Sequence, residues 1–99
     1  MDDDRMATVA RLWQAHCGAP FPDRLKSADV VGIEMVTLDA DVSGCVSAWL
    51  KGGGSIDPRR WGILASRERE LQRVVPALSG HEAAYCRRLL SLTELVLAS

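Results

Sequence analysis

Apolar residues recur at intervals of three and four through most of this 99-residue chain, and that spacing restricts the folds open to it. Side chains three or four positions apart lie on one face of an α-helix, so each such stripe predicts an amphipathic helix. Glycines and prolines interrupt the stripes within residues 18–22, 52–55 and 76–80, where they favour turns. The pattern therefore predicts four helical segments.

Local signals mark the ends of three of these segments. Asp57 followed by Pro58 combines an N-cap acceptor with a proline at the first helical position. Ser79 and Glu82 match the Ser-x-x-Glu capping box that opens a helix. Gly18 suits the position just after a helix. We therefore expect one helix to end at Gly18 and two others to begin after Asp57 and Ser79.

The remaining segment, residues 29–51, carries two competing signals. Several β-branched residues near its start favour a strand by propensity. A stripe at intervals of four and three favours a helix throughout, and its members are Val31, Met35, Leu38, Val42, Cys45 and Trp49. We expect one helix over residues 29–51, with a short strand over residues 30–38 as the alternative.

The fold class that follows is all-α, a small antiparallel bundle of four helices in a single domain over residues 1–99. The alternative strand would make the fold α+β. The apolar fraction of 47% and the charged fraction of 25% are ordinary for a globular domain.

Location is predicted from what the chain lacks. No apolar run approaches the roughly 20 residues that span a bilayer, and the acidic residues 2–4 do not resemble a signal peptide. Three cysteines without paired spacing fit free thiols better than disulfides. We expect a cytoplasmic protein that does not bind membranes.

Catalytic and metal-binding signals are weak. His16 and Cys17 are adjacent, and His81 and Cys86 are five apart, so on a helix each pair diverges instead of converging on a metal. The chain has no nucleophile elbow, phosphate loop or dinucleotide fingerprint. The sequence leaves enzyme activity open but leans against it, and we expect no catalytic residue, metal or cofactor.

The roles of three acids are left open by the pattern. Asp39 lies on a polar stripe of the second segment, and Asp41 lies close by. Paired carboxylates can serve acid–base chemistry or bind a cation, but a solvated outer face explains both more simply. Glu68 falls in the apolar seam of the third segment, where we expect it at the bundle edge instead of paired with an arginine.

Three tryptophans fall on the predicted inner faces of the helices: Trp13, Trp49 and Trp61. Core packing is the expected role of such large side chains. A tryptophan-lined pocket for a flat ligand is the alternative.

Arginines concentrate in the last two segments, and the candidate anion contacts among them are Arg59, Arg60, Arg67, Arg87 and Arg88. A nucleic-acid footprint needs basic residues clustered on one face with few acids. Glu68 and Glu70 interrupt this cluster, and the net charge of −1 supplies no overall attraction. Nucleic-acid binding is therefore only the alternative function.

The last segment carries more apolar residues than one stripe needs: Leu89, Leu90, Leu92, Leu95, Val96 and Leu97. At about 100° per residue they cover roughly 220° of the helix, against about 100° for a helix packed on one side. Two-fold pairing would cover the surplus. We expect a homodimer that uses this helix, unless neighbouring helices cover it on both sides. The expected function is a non-enzymatic protein–protein interaction or regulatory module with an unknown protein partner.

Residues 38–46, Leu-Asp-Ala-Asp-Val-Ser-Gly-Cys-Val, resemble a group of short uncharacterised proteins from GC-rich Gram-positive bacteria. Further matching features are Gly53-Gly54 with Asp57 and Arg60, Val-Pro-Ala-Leu at residues 75–78, and Tyr85 with Arg88-Leu89. The resemblance covers most of residues 30–97. It implies a small helical cytoplasmic protein of bacterial origin, and it assigns no activity or functional residue.

Overall fold

A computed structural model describes residues 2–99 of the chain, with side chains from Asp4 onward. Its four helices are α1 (Asp2–Gly18), α2 (Met35–Lys51), α3 (Pro58–Val74) and α4 (Gly80–Leu97). Short 3₁₀ turns lie at Asp23–Lys26 and Val75–Ala77. The described residues contain no sheet, so the fold is the all-α four-helix bundle that the spacing predicts. No helix in this part of the chain is both long and apolar enough to cross a membrane.

Helix α4 packs against α1, α2 and α3, and most extensively against α3 and α1. Leu89, Leu92 and Val96 are fully buried in the core of the chain itself. The other three members of the expected interface are half-buried and pack against the same core: Leu90, Leu95 and Leu97. Neighbouring helices thus cover the wide apolar arc of α4, and its three fully buried residues are not available to a partner in this fold.

Helix α2 begins later than the predicted start at residue 29. Val30 and Ile33 exchange two backbone hydrogen bonds, with N–O distances of 3.0 and 2.9 Å. The two residues between them have positive φ angles, 45° for Val31 and 80° for Gly32. Positive φ at both central positions is the pattern of a type I′ turn. The predicted helix over residues 29–51 is therefore wrong at its N-terminal end, and the alternative strand over residues 30–38 is reduced to this single bridge.

The helix proper starts where Glu34 caps it. The Glu34 carboxylate accepts hydrogen bonds from the backbone N–H groups of Val36 at 2.6 Å and Thr37 at 3.0 Å. These bonds satisfy donors that the first turn of a helix otherwise leaves free. The hydroxyl of Thr37 and these two N–H groups hold the pKa of Glu34 below its usual value.

The predicted start of α3 is confirmed, whereas that of α4 is confirmed in position only. Asp57 accepts a hydrogen bond from the backbone N–H of Arg60 at 2.8 Å, as an N-cap should. Ser79 precedes α4 but makes no side-chain capping bond. The Glu82 carboxylate instead accepts from Arg24 Nε at 2.8 Å and Nη2 at 2.7 Å, which ties α4 to the loop after α1.

Candidate functional site

An open surface lies on the side of the bundle where α2 and α3 lie next to each other. Two shallow hollows of about 230 and 410 Å³ adjoin there, and Asp41 and Ile63 line both. We call this surface the α2–α3 face and define it by six residues: Ala40, Asp41, Gly44, Gly62, Ile63 and Ser66. Four of the six are small, which is why the surface is hollow.

Gly44 and Gly62 distinguish this face from an ordinary solvated surface. Both lie inside helices and both are exposed. A Cβ added at either position would meet no atom of the described residues within 4 Å. Glycine within a helix is less stable than alanine by about 0.5–1 kcal/mol. The packing of the single chain therefore does not need these glycines, although they weaken both helices.

Contacts between α2 and α3 show which residues of the two helices lie side by side. Arg67 of α3 donates to the Asp41 carboxylate of α2 from Nε at 3.0 Å and from Nη2 at 2.7 Å. The Cys45 thiol lies 3.6 Å from the carbonyl oxygen of Arg60. The two helices thus run antiparallel, and Gly44 is level with the first turns of α3, which include Gly62.

Charge is distributed unevenly along this face. Arg59 and Arg60 line the hollow at the start of α3. Farther along, Arg67 also donates to Glu70 at 2.8 Å, so two carboxylates, Asp41 and Glu70, surround one guanidinium. One end of the face therefore has a positive excess and the other a negative excess.

The predicted anion contacts do not form one patch. Arg67 is engaged by two carboxylates, and Arg60 is paired with Asp57. Arg87 is exposed on α4, whereas Arg88 beside it is half-buried with Nη1 enclosed by the protein. A turn joins the end of α3 to the start of α4. Arg59 is at the far end of α3 from this turn, whereas Arg87 is in the first half of α4, so the two arginines are separated along the length of the bundle.

A polar cluster that the sequence does not predict joins α1, α2 and α4. The Tyr85 hydroxyl donates to Asp39 Oδ1 at 2.8 Å, and His16 Nε2 lies 3.2 Å from that oxygen and 3.3 Å from the hydroxyl. Both neighbours of Nε2 are oxygen atoms that can accept a hydrogen bond, so the geometry assigns a proton to Nε2. Asp39 is thus part of a cross-helix cluster instead of the expected solvated stripe.

Aromatic rings enclose this cluster. Trp13 stacks on His16 with ring centroids 5.9 Å apart, and Phe21 meets Tyr85 edge-on at 5.5 Å. His16 and Tyr85 are only 5% and 6% exposed. Burial, followed by the hydrogen bond to Asp39, raises the pKa of the Tyr85 hydroxyl. The cluster has the composition of an acid–base site. Its residues are largely enclosed, and its hydrogen bonds link α1, α2 and α4.

The cysteines are placed as packing residues or surface thiols. Burial raises the pKa of the Cys45 thiol, and it raises the pKa of Cys86 to about 11. A high pKa disfavours the nucleophilic thiolate. Cys17 is exposed. Among the residues that the structure describes, no three His, Cys, Asp or Glu side chains are grouped as metal ligands.

The observed burial of the tryptophans and of Glu68 agrees with the prediction for some of these residues and not for others. Trp49 is buried, as predicted, and Trp13 is half-buried against His16. Trp61 is 36% exposed, which corrects its expected core position. Glu68 is half-buried on α3, in keeping with the bundle edge.

No family model matches this chain, and no curated protein or solved structure shows significant similarity to it.

Proposed function

We propose that this chain is a non-enzymatic protein–protein interaction module that pairs with a second copy of itself through the α2–α3 face. The observation that carries the proposal is the pair of helical glycines, Gly44 and Gly62. Each lowers the stability of its helix, and neither is required by a contact within the chain. A side-chain-free helix surface allows another backbone to approach closely, and that approach would explain both residues.

Small neighbours extend this surface along α2 and α3. Ala40 precedes Gly44 by one turn, and Ser66 follows Gly62 by one turn. All four positions are exposed. Packed helices usually lie 8–10 Å apart, the distance depending on the side chains at the contact. A helix pair from a second copy could therefore seat its Ile63 and flanking side chains in the hollows.

The charge distribution supports a second copy as the occupant. A two-fold axis near the glycines would set Arg59 and Arg60 of one copy opposite Asp41 and Glu70 of the other. The same contact would be repeated on the other side of the axis, since a two-fold interface uses one surface twice. Complementary charge of this kind favours the correct register and speeds encounter.

The size of the face indicates a modest affinity. Helices of 17 residues are about 25 Å long, and two side by side are about 20 Å wide. Each copy could bury about 500 Å², which gives about 1,000 Å² in total and lies just below the usual range for stable complexes. We therefore expect a reversible dimer that dissociates in the micromolar range. The described cysteines are free thiols, and thiols stay reduced in the cytoplasm. We therefore propose that the dimer forms in that compartment.

Light scattering after size exclusion tests this proposal when it is repeated at several protein concentrations in the micromolar range. We expect a mass that approaches twice that of one chain for the wild type. Gly44→Leu or Gly62→Leu should give a folded monomer, because each places a large side chain where the second copy would sit. Gln14→Leu is the matched control, since it adds the same side chain at an exposed position on α1. It should leave the dimer intact.

A monomeric wild type, or dimers in both glycine variants, would contradict the proposal. The alternative of nucleic-acid binding has its own readout, which is retention on heparin that falls steeply with salt. Retention of that kind by a monomeric wild type would replace the present proposal with the alternative.

A further inference from the structure

A separate cavity of about 140 Å³ lies at the end of the bundle, away from the α2–α3 face. We call it the end cavity, and the residues that line it are Arg5, Met6, Trp49, Gly53, Gly54 and Ser99. It is formed where the first turns of α1, the end of α2 and the loop after it meet Ser99, two residues past the end of α4. None of these residues belongs to the α2–α3 face, so this inference is independent of the proposed dimer.

Two glycines form one wall of the end cavity with their backbone. Gly53 and Gly54 have φ angles of 68° and 103°, which residues with side chains rarely adopt. The Gly54 N–H donates to the Trp49 carbonyl at 2.9 Å and so turns the loop back over α2. A Cβ at Gly54 would lie 3.5 Å from Met6 Cε and 3.7 Å from Trp49 Cζ2. A side chain at this position would therefore narrow the space beside the indole ring.

The floor of the end cavity is apolar. It is formed by the indole of Trp49 and the thioether of Met6. The indole is held in place because its Nε1 donates to Ser99 Oγ at 3.3 Å, and Ser99 Oγ donates to the Val96 carbonyl at 2.6 Å. Trp49 is only 2% exposed, so a ligand ring can meet a small part of its indole, and the ring can contact the Met6 sulfur favourably.

A guanidinium supplies a positive charge in the same cavity. Arg5 Nη1 donates to the Leu95 carbonyl at 2.8 Å, near the end of α4, and this bond fixes the guanidinium in place. An arginine has five N–H donors in a planar fork, so it can hold this carbonyl and bind a carboxylate as well. The end cavity thus combines an apolar floor with one anion-binding group.

We infer that the end cavity binds a small aromatic carboxylate, with its ring against Trp49 and Met6 and its carboxylate on Arg5. An apolar cavity of about 150 Å³ in another protein accommodates benzene, which sets the size of the ring. Benzoate is the simplest probe of this class. Benzyl alcohol has a similar ring and shape but carries no charge.

NMR of the tryptophan indole N–H groups tests the inference, since the chain has three tryptophans and only Trp49 lines the end cavity. The Trp49 signal is identified by its loss in Trp49→Phe. We expect benzoate to shift this signal to saturation with a Kd on the order of 1 mM or lower. The signals of Trp13 and Trp61 should stay in place and serve as internal controls.

Two arginine variants test the role of the charge. Arg5→Met should weaken benzoate binding about tenfold, because a hydrogen-bonded ion pair is lost. Arg11→Met removes an exposed arginine from the same helix outside the cavity and should leave the affinity unchanged. Arg5→Lys retains the charge and should bind more tightly than Arg5→Met, which separates loss of charge from loss of folding.

Three results would overturn the inference. The first is a Trp49 signal that benzoate does not shift in a saturable way at concentrations of about 50 mM, far above the expected Kd. The second is equal binding of benzyl alcohol and benzoate, which would remove the carboxylate from the ligand class. The third is equal weakening by Arg5→Met and Arg11→Met.

Discussion

Tyr85 shows how a single residue can connect three helices in this fold. Its hydroxyl donates to Asp39 on α2 and lies next to His16 on α1, while its ring packs in the core on α4. Buried polar groups of this kind are stable only while their partners stay in place. The residue therefore reports on the relative positions of α1, α2 and α4.

Alkaline titration provides a prediction for Tyr85, which is the only tyrosine in the chain. Its pKa is raised in the folded state, whereas an unfolded tyrosine ionises near pH 10. Its contribution to stability is therefore fully present below about pH 10 and is lost as the pH rises through the folded pKa. Ultraviolet titration should show no tyrosinate until the helical circular dichroism is lost. Tyrosinate forming at an ordinary pKa in the folded protein would show that the hydroxyl is not held as described.

At the scale of elements, the start of α2 depends on a turn in which one position requires a positive φ angle and is occupied by valine, a residue type that disfavours it. Val31 has a φ of 45°, although β-branched residues rarely adopt the left-handed region. Gly32, the next residue, is well suited to the same turn. The turn lets the Val30–Ile33 bridge close and lets Glu34 cap the helix, so the strain at Val31 is a consequence of where α2 must begin.

Val31→Asn should therefore stabilise the protein. It creates the Asn-Gly pair that type I′ turns favour and relieves a left-handed conformation that costs about 1–2 kcal/mol. We expect the free energy of unfolding in urea to rise by about 1 kcal/mol. Val36→Asn is the matched control, since Val31 and Val36 are both 46% exposed but Val36 lies in a helix. An equal effect of the two substitutions would show that the turn strain is not the cause.

Elements were predictable from the sequence wherever their signals are local. The stripes and the Asp57 cap indicate the helices and the start of α3 because capping and amphipathic spacing depend on neighbours within a few residues. The start of α2 was not predictable, since the four-three stripe includes Val31, and a β-branched residue does not indicate the left-handed conformation that it adopts in the turn. The match at Val31 is coincidental, because Val31 lies in the turn, is 46% exposed and does not belong to the buried face of α2.

The candidate sites were less predictable because they depend on contacts between distant segments. His16 and Tyr85 are 69 positions apart, and each falls on an apolar stripe, so neither stands out in the sequence. Gly44 and Gly62 are visible as helix-weakening residues, but only the structure shows that none of the described residues occupies the space beside them. That space depends on how α2 and α3 lie next to each other, which local sequence patterns do not determine.

At the scale of the whole molecule, the position of α4 decides which surface is left for a partner. Since α1, α2 and α3 all pack against α4, its apolar arc stabilises the single chain. The packing of the described residues does not explain the α2–α3 face with its two glycines. We therefore propose the dimer with its interface on α2 and α3 instead of on α4.

The thermal unfolding midpoint, measured against protein concentration for the wild type and Gly44→Leu, tests this central claim most directly. Pairing stabilises the folded state by mass action, so the wild-type midpoint should rise with concentration. Gly44→Leu should unfold about 3–6 °C higher at the lowest concentration, because leucine is the better helix former by somewhat less than 1 kcal/mol. Its midpoint should not change with concentration, so the two curves should converge or cross. A wild-type midpoint that does not depend on concentration, or two curves that rise in parallel, would contradict the account.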